Sequence, residues 1–194
     1  MSPSPVPTVA SARGVTLVEL MVALTVLAVL AMVALPNFSD FFERNKVRGA
    51  AAEVVALIDN ARAEAVKNDL DVNIAMAGSA AAWCVGANAA TPPSGGVEAG
   101  APAACDCTDA AQCLVSGNRF AVETGEFPEV RVGALPAAMV FDSTLGTIVP
   151  LGTRTVTLTS PNGKYDLDIQ INGLGQARMC TQPGKPTMSG IAQC

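Results

Sequence analysis

Residues 14–36 read GVTLVELMVALTVLAVLAMVALP, and this stretch decides how the rest of the chain is organised. From Val15 to Leu35 it carries one charge, Glu19. A helix of that length rises about 30 Å at 1.5 Å per residue, the thickness of a bilayer core. A transmembrane helix is therefore predicted over residues 15–36. Pro36 has no N–H to donate and its ring meets the carbonyl of Met32, so the helix is expected to kink or loosen there.

The residues before the stretch, MSPSPVPTVASARG, are polar and rich in Pro and Ser. A secretory signal peptide carries its small-residue cleavage site after its apolar run. Here the small residue precedes the run, so cleavage between Gly14 and Val15 would leave the helix in the mature chain. Glu19 would then lie one helical turn from the new amino terminus. A charged carboxylate near the hydrocarbon costs roughly 2.5 kcal/mol or more at a helix centre and calls for a partner. A Val15 α-amino group would be one, and a plain interfacial glutamate at the end of an anchor is the alternative. Charge counting opposes this orientation. Arg13 is the only basic residue before the stretch, whereas Arg44, Lys46 and Arg48 follow it, and positive residues usually stay inside.

Beyond Pro36 the helical pattern continues. Val47, Ala51, Val54, Ile58, Ala61 and Ala65 recur at spacings of four and three, one apolar stripe that predicts core packing and a helix ending near Asn68. The period then becomes two. Val72, Ile74 and Met76 alternate with Asn73 and Ala75, and AAWCVG follows with the single Trp. Residues 87–113, rich in Ala, Gly and Pro, predict a long surface loop. Later strands are expected in RFAVE, AAMVFD, RTVTLT and YDLDIQI, with a final one near GQARMC. SPNGK, holding Pro161 and Asn162-Gly163, has the chemistry of a hairpin turn. One long helix followed by an antiparallel sheet is α+β.

The chain has 194 residues, room for one domain of ordinary size, and a formal charge of −5 that disfavours broad binding to phosphate backbones. It contains no histidine, which excludes Ser-His-Asp and Cys-His catalysis and every His-ligated metal site. Cys84, Cys105, Cys107, Cys113, Cys180 and Cys194 all lie beyond the apolar stretch. In an exported domain they predict three disulfides, although six cysteines allow 15 connectivities. Cys84 is expected to join the loop cysteines and Cys180 to pair with Cys194, closing the tail. The rival reading, a metal site at Cys105, Cys107 and Cys113 with Asp106 and Asp109, fits zinc spacing poorly.

Gly14 followed by VTLVEL, Pro36 and a continuing amphipathic helix resembles the leader and stalk of type IV pilins and type II secretion pseudopilins. NARAEAVKNDLDV, AAWCVG, MVFDSTLG and INGLGQAR further resemble the GspH/FimT branch, whose members are minor subunits. The resemblance covers most of the chain except the Pro/Gly-rich loop. It implies a leader over residues 1–14, cut by a prepilin peptidase after Gly14, methylation of the Val15 amine, and pairing of Glu19 with a neighbouring subunit's terminus. The family usually begins its mature chain with Phe where this one has Val15.

The implied organisation is a transmembrane helix over 15–36 and a periplasmic or extracellular pilin domain over 37–194. The implied location is the bacterial inner membrane, with the protein passing into a pilus or pseudopilus. Its partners would be other major and minor subunits and the inner-membrane assembly platform, with no cofactor and no catalysis. In the FimT-like subgroup a Gly-Arg-x-Arg motif is associated with DNA. The matching residues here are Gly175, Gln176, Ala177 and Arg178, leaving Arg178 and Lys185 as candidate DNA contacts. A membrane-anchored domain unrelated to filaments is the remaining alternative.

Overall fold

The computed structural model describes residues 14–90, 104–109, 111–133 and 135–194, with the side chains of 33–37 outside that description. Residues 1–13 of the expected leader and the middle of the expected loop lie outside the described residues. The chain forms two compact units, one ending at Asp40 and one running from Phe41 to Cys194. A single helix, α1 (Leu17–Asn68, 52 residues), contributes to both.

In the first unit the helix is apolar around its whole circumference. Leu17, Val18, Leu20, Met21, Val22, Leu24, Leu27 and Leu30 are all more than half exposed. A helix hydrophobic on every side needs an apolar surrounding. The expected span runs into residues 33–37, and among the described residues no helix is long and apolar enough to cross a membrane. The helix is continuous in its backbone through Pro36.

In the second unit the apolar stripe is the core. Val47, Ala51, Val54, Ile58, Ala61 and Ala65 are fully buried, joined by Ala50 and Leu57. The alanines in this row leave room for the sheets to approach the helix closely. The helix ends at Asn68 because Asp69 turns left-handed (φ 53°) and the Leu70 N–H reaches back to the Ala65 carbonyl.

The expected antiparallel sheet is two sheets. In one the order is β5 (Ala121–Glu123), β2 (Ala82–Ala89), β1 (Val72–Ser79), β7 (Met139–Phe141) and β8 (Ile148–Val149). In the other it is β11 (Ala177–Thr181), β10 (Asp166–Ile171), β9 (Arg154–Thr159) and β6 (Arg131–Val132). A hairpin of β3 (Leu114–Val115) and β4 (Asn118–Arg119) forms a separate ladder, with Val115 in the common core. All ladder pairings between these strands are antiparallel. The chain enters the second sheet at β6, returns to the first for β7 and β8, and re-enters the second at β9. Both sheets contribute to one core with the helix, through Ile74, Val85, Phe141 and Ile148 on one side and Val156, Leu158, Leu167 and Ile169 on the other. Trp83 is buried with its indole N–H on the Val130 carbonyl at 2.9 Å.

SPNGK makes the β9–β10 turn, with Gly163 at φ 70° and its N–H on the Ser160 carbonyl. β10 departs from simple alternation. Asp166 and Asp168, on the face away from Leu167 and Ile169, are buried rather than solvated. The C-terminal tail covers them: Lys185 pairs with Asp166 at 3.0 Å, and the Cys194 sulfur lies 3.8 Å from Asp168. Thr157 donates its hydroxyl to Asp168 at 2.7 Å.

Candidate functional site

The six cysteines form three disulfides, Cys84–Cys107, Cys105–Cys113 and Cys180–Cys194. The first two lie side by side as a buried cluster on β2, while Asp106, Thr108, Asp109 and Gln112 between them are exposed, so this end of the loop runs at the surface with its cysteines turned inward. Gly86 faces that cluster. A Cβ there would stand 2.5 Å from the Cys113 sulfur, 2.9 Å from the Cys105 sulfur and 3.0 Å from the Cys107 Cβ. Gly86→Ala should therefore displace one bridge, destabilising the fold by about 2–4 kcal/mol. Peptide mapping under non-reducing conditions should then find Cys105–Cys113 lost or mispaired. The third bridge fastens the tail across β10 and β11, with the Thr181 N–H on the Ala192 carbonyl and the Cys194 N–H on the Thr181 carbonyl.

At the expected cleavage point a Cβ added to Gly14 would meet nothing within 4 Å among the described residues, and Val15 is 71% exposed. The helix starts because Thr16 caps it: its hydroxyl oxygen accepts the Glu19 N–H at 3.3 Å. Glu19 thus sits in the first turn, three residues after the cap, where a carboxylate also favours the helix dipole. The T-x-x-E pattern of residues 16–19 carries this signal in the sequence. Among the described residues no side chain bonds the Glu19 carboxylate.

Gly175 and Gln176 lie in the tight turn between β10 and β11, and Ala177 and Arg178 begin β11. The Asn172 side-chain oxygen accepts the N–H groups of Leu174 and Gln176, at 3.1 and 3.0 Å, and its amide donates to the Gln176 oxygen at 2.9 Å. Gly175 is left-handed, φ 76°, and presses against the Gly146 carbonyl. Arg62 of the helix donates to that same carbonyl at 2.8 Å. Asp59, one turn earlier, is raised above the ordinary carboxylate range by burial, with Arg62 and the Ala177 N–H pulling it back down. The turn is a joint between helix and sheets.

Arg178 lies in an open groove of about 480 Å³ with Thr153, Gln170, Asn172 and Gln176. Its guanidinium is held by the Gln170 side-chain oxygen at 2.8 and 3.3 Å. Lys185 is committed elsewhere, to Asp166 and to the Gly163 carbonyl at 2.9 Å. Arg178 faces Gln170 while Lys185 faces Asp166, four residues along β10, a separation of about 13 Å. The two candidate DNA contacts are not brought together. DNA titrated into the full chain in neutral detergent should bind weakly, with a log–log salt slope no steeper than about −2. Arg178→Ala should change that affinity less than about threefold; a steep slope lost in this variant would contradict the reading.

The prokaryotic N-terminal methylation motif matches residues 10–35, and the family of type II transport protein GspH matches residues 50–175. Two fimbrial proteins of Pseudomonas aeruginosa are each 40% identical over 45 residues, which is 23% of this chain and 29% of theirs. The match therefore spans less than a third of those relatives. The crystal structure of the Pseudomonas aeruginosa type IV minor pilin FimU aligns with a TM-score of 0.41 and 19% identity, covering 74% of this chain and 92% of that one.

Proposed function

The chain belongs to the GspH family of type II transport proteins, and from that premise we propose that it is a non-enzymatic minor subunit of a pilin-type filament. The observation that carries the reading is the helix from Leu17, apolar on every side, capped at Thr16 and bearing one carboxylate in its first turn. Moving a Leu, Val or Met side chain of this kind out of water gains roughly 1.5–3 kcal/mol. A row of them is retained at the surface only for a bilayer or for other helices like it.

In this reading residues 1–14 are a leader removed by a prepilin peptidase, and the Val15 amine is methylated. Residues 15–36 hold the protein in the bacterial inner membrane, and residues 37–194 form the domain outside it. The assembly platform then passes the subunit into a bundle of other major and minor subunits. There Glu19 sets the axial register against a neighbour's amino terminus, because a charge left unpaired in an apolar bundle is strongly penalised. Pro36, with no N–H to donate, leaves one backbone bond of the helix unmade between anchor and domain. The disulfides and the joint at Gly175 keep the domain rigid while its anchor is withdrawn from lipid.

The test is to produce the tagged full chain in a host with a working pilus or pseudopilus and to shear the filaments off. The chain should appear in the sheared fraction. Its confinement to the membrane fraction while other minor subunits are sheared away would overturn the proposal.

A further inference from the structure

The cations that follow the apolar stretch, against the usual charge bias, have different fates in the structure. Lys46 is paired with Glu129 at 2.7 Å. Arg44 stands over the Tyr165 ring at 5.7 Å, and Lys164 stands 5.5 Å from the same ring. Arg48, one turn after Arg44, is exposed and forms no ion pair among the described residues. Arg44 and Arg48 face a pocket of about 150 Å³ closed by Phe41, Asn45, Met188 and Ser189. A liquid water occupies about 30 Å³, so a phosphate group fits.

The pocket is built. Met188 is buried and seats the tail in the core, and the Cys180–Cys194 bridge holds that tail down, setting Ser189 opposite the helix. Two guanidiniums line the pocket with an amide and a hydroxyl beside them, donor types that phosphate oxygens accept from. Glu43, next to Arg44 on the helix, is turned into the protein, where Asn162 donates to it. Phe41 and Phe42 form an edge-to-face pair at 6.0 Å, each more than half exposed, and the Phe41 ring is part of the pocket wall. Exposed aromatic rings beside cations are the composition of a membrane–water interface. Chain connectivity alone tethers Phe41 within roughly 22 Å of Leu35.

We propose that this pocket binds the phosphate of an anionic phospholipid headgroup, with Arg44 and Arg48 on the phosphate oxygens and Phe41 against the glycerol and upper acyl chain. It would hold the domain on the outer face of the membrane until the subunit is extracted. The inference rests on the membrane-anchored reading of the proposed function, but its test does not require a filament.

The full chain in neutral detergent is titrated with dihexanoyl phosphatidylglycerol, dihexanoyl phosphatidylcholine and inorganic phosphate, and binding is followed by calorimetry. Saturable binding of phosphatidylglycerol is expected, at least tenfold tighter than phosphatidylcholine or inorganic phosphate. Arg48→Gln should weaken it about tenfold or more, whereas Lys46→Gln should weaken it less than twofold. Equal binding of the two lipids would overturn the proposal. Inorganic phosphate bound as tightly as the lipid would make this a free-phosphate site, and equal losses in the two variants would make it diffuse surface attraction; either result also overturns it. A chain that enters sheared filaments but ignores phosphatidylglycerol sinks this inference alone, and the reverse result sinks only the filament reading.

Discussion

Gly175→Ala will lower the thermal unfolding midpoint of the chain by about 6–12 °C, and Gly163→Ala will lower it by about a third of that. Both glycines are left-handed, at φ 76° and 70°, so both substitutions carry the conformational cost of about 1 kcal/mol. They differ in what surrounds them. A Cβ on Gly163 meets nothing within 4 Å, whereas one on Gly175 stands 2.5 Å from the Gly146 carbonyl and 2.8 Å from the Phe141 ring. Neither neighbour can retreat. Phe141 is fully buried, and the Gly146 carbonyl is held by Arg62. Relieving the clash means parting the β10–β11 turn from the helix, which adds roughly 2 kcal/mol or more. For a chain of this size each kcal/mol is worth about 2–4 °C. Equal shifts in the two variants would show that the joint is not rigid.

Glu19→Ala will leave the protein processed and membrane-bound but will reduce its share of the sheared filament fraction at least tenfold. Two roles for this carboxylate predict different companions. As part of a helix cap it contributes about 0.3–1 kcal/mol through the dipole, and Thr16→Ala, which removes the hydroxyl that receives the Glu19 N–H, costs about 1 kcal/mol. As the partner of a neighbour's amine its removal leaves an uncompensated charge in an apolar bundle, worth about 3–5 kcal/mol. Every 1.4 kcal/mol is a factor of ten, so the second role dominates assembly. Thr16→Ala should accordingly enter filaments nearly as well as the parent chain. If it fails as completely as Glu19→Ala, the glutamate acts through the cap and the pairing role is wrong.

Legibility followed the range of the interactions. The helix stripe from Val47 to Ala65 and the end at Asn68 were readable because both depend on neighbours three or four residues away. The β9–β10 turn was readable because Asn162-Gly163 supplies its own conformation. The division into two sheets was not, since strands as short as Arg131–Val132 and Ile148–Val149 carry no period. The burial of Asp166 and Asp168 was also hidden. It depends on a tail some twenty residues downstream, brought back by a disulfide whose two cysteines were visible but whose covering effect was not. At the candidate sites the residue types were legible and their commitments were not. Arg178 and Lys185 read as a possible pair until Gln170 and Asp166 claimed one each. Thr16 carried a local cap signal that attention to Glu19 alone passes over.

Assembly by this mechanism requires the apolar helix to remain in the mature protein, with a cationic amine at Val15 to meet a neighbour's Glu19. The most direct measurement is the intact mass and amino-terminal sequence of the chain purified from membranes of cells that also make a prepilin peptidase. A chain beginning at N-methylated Val15, which appears only when the peptidase is active, is the predicted result. A chain that still begins at Met1 or Ser2 with the peptidase active, or one cut beyond Leu35, would contradict it.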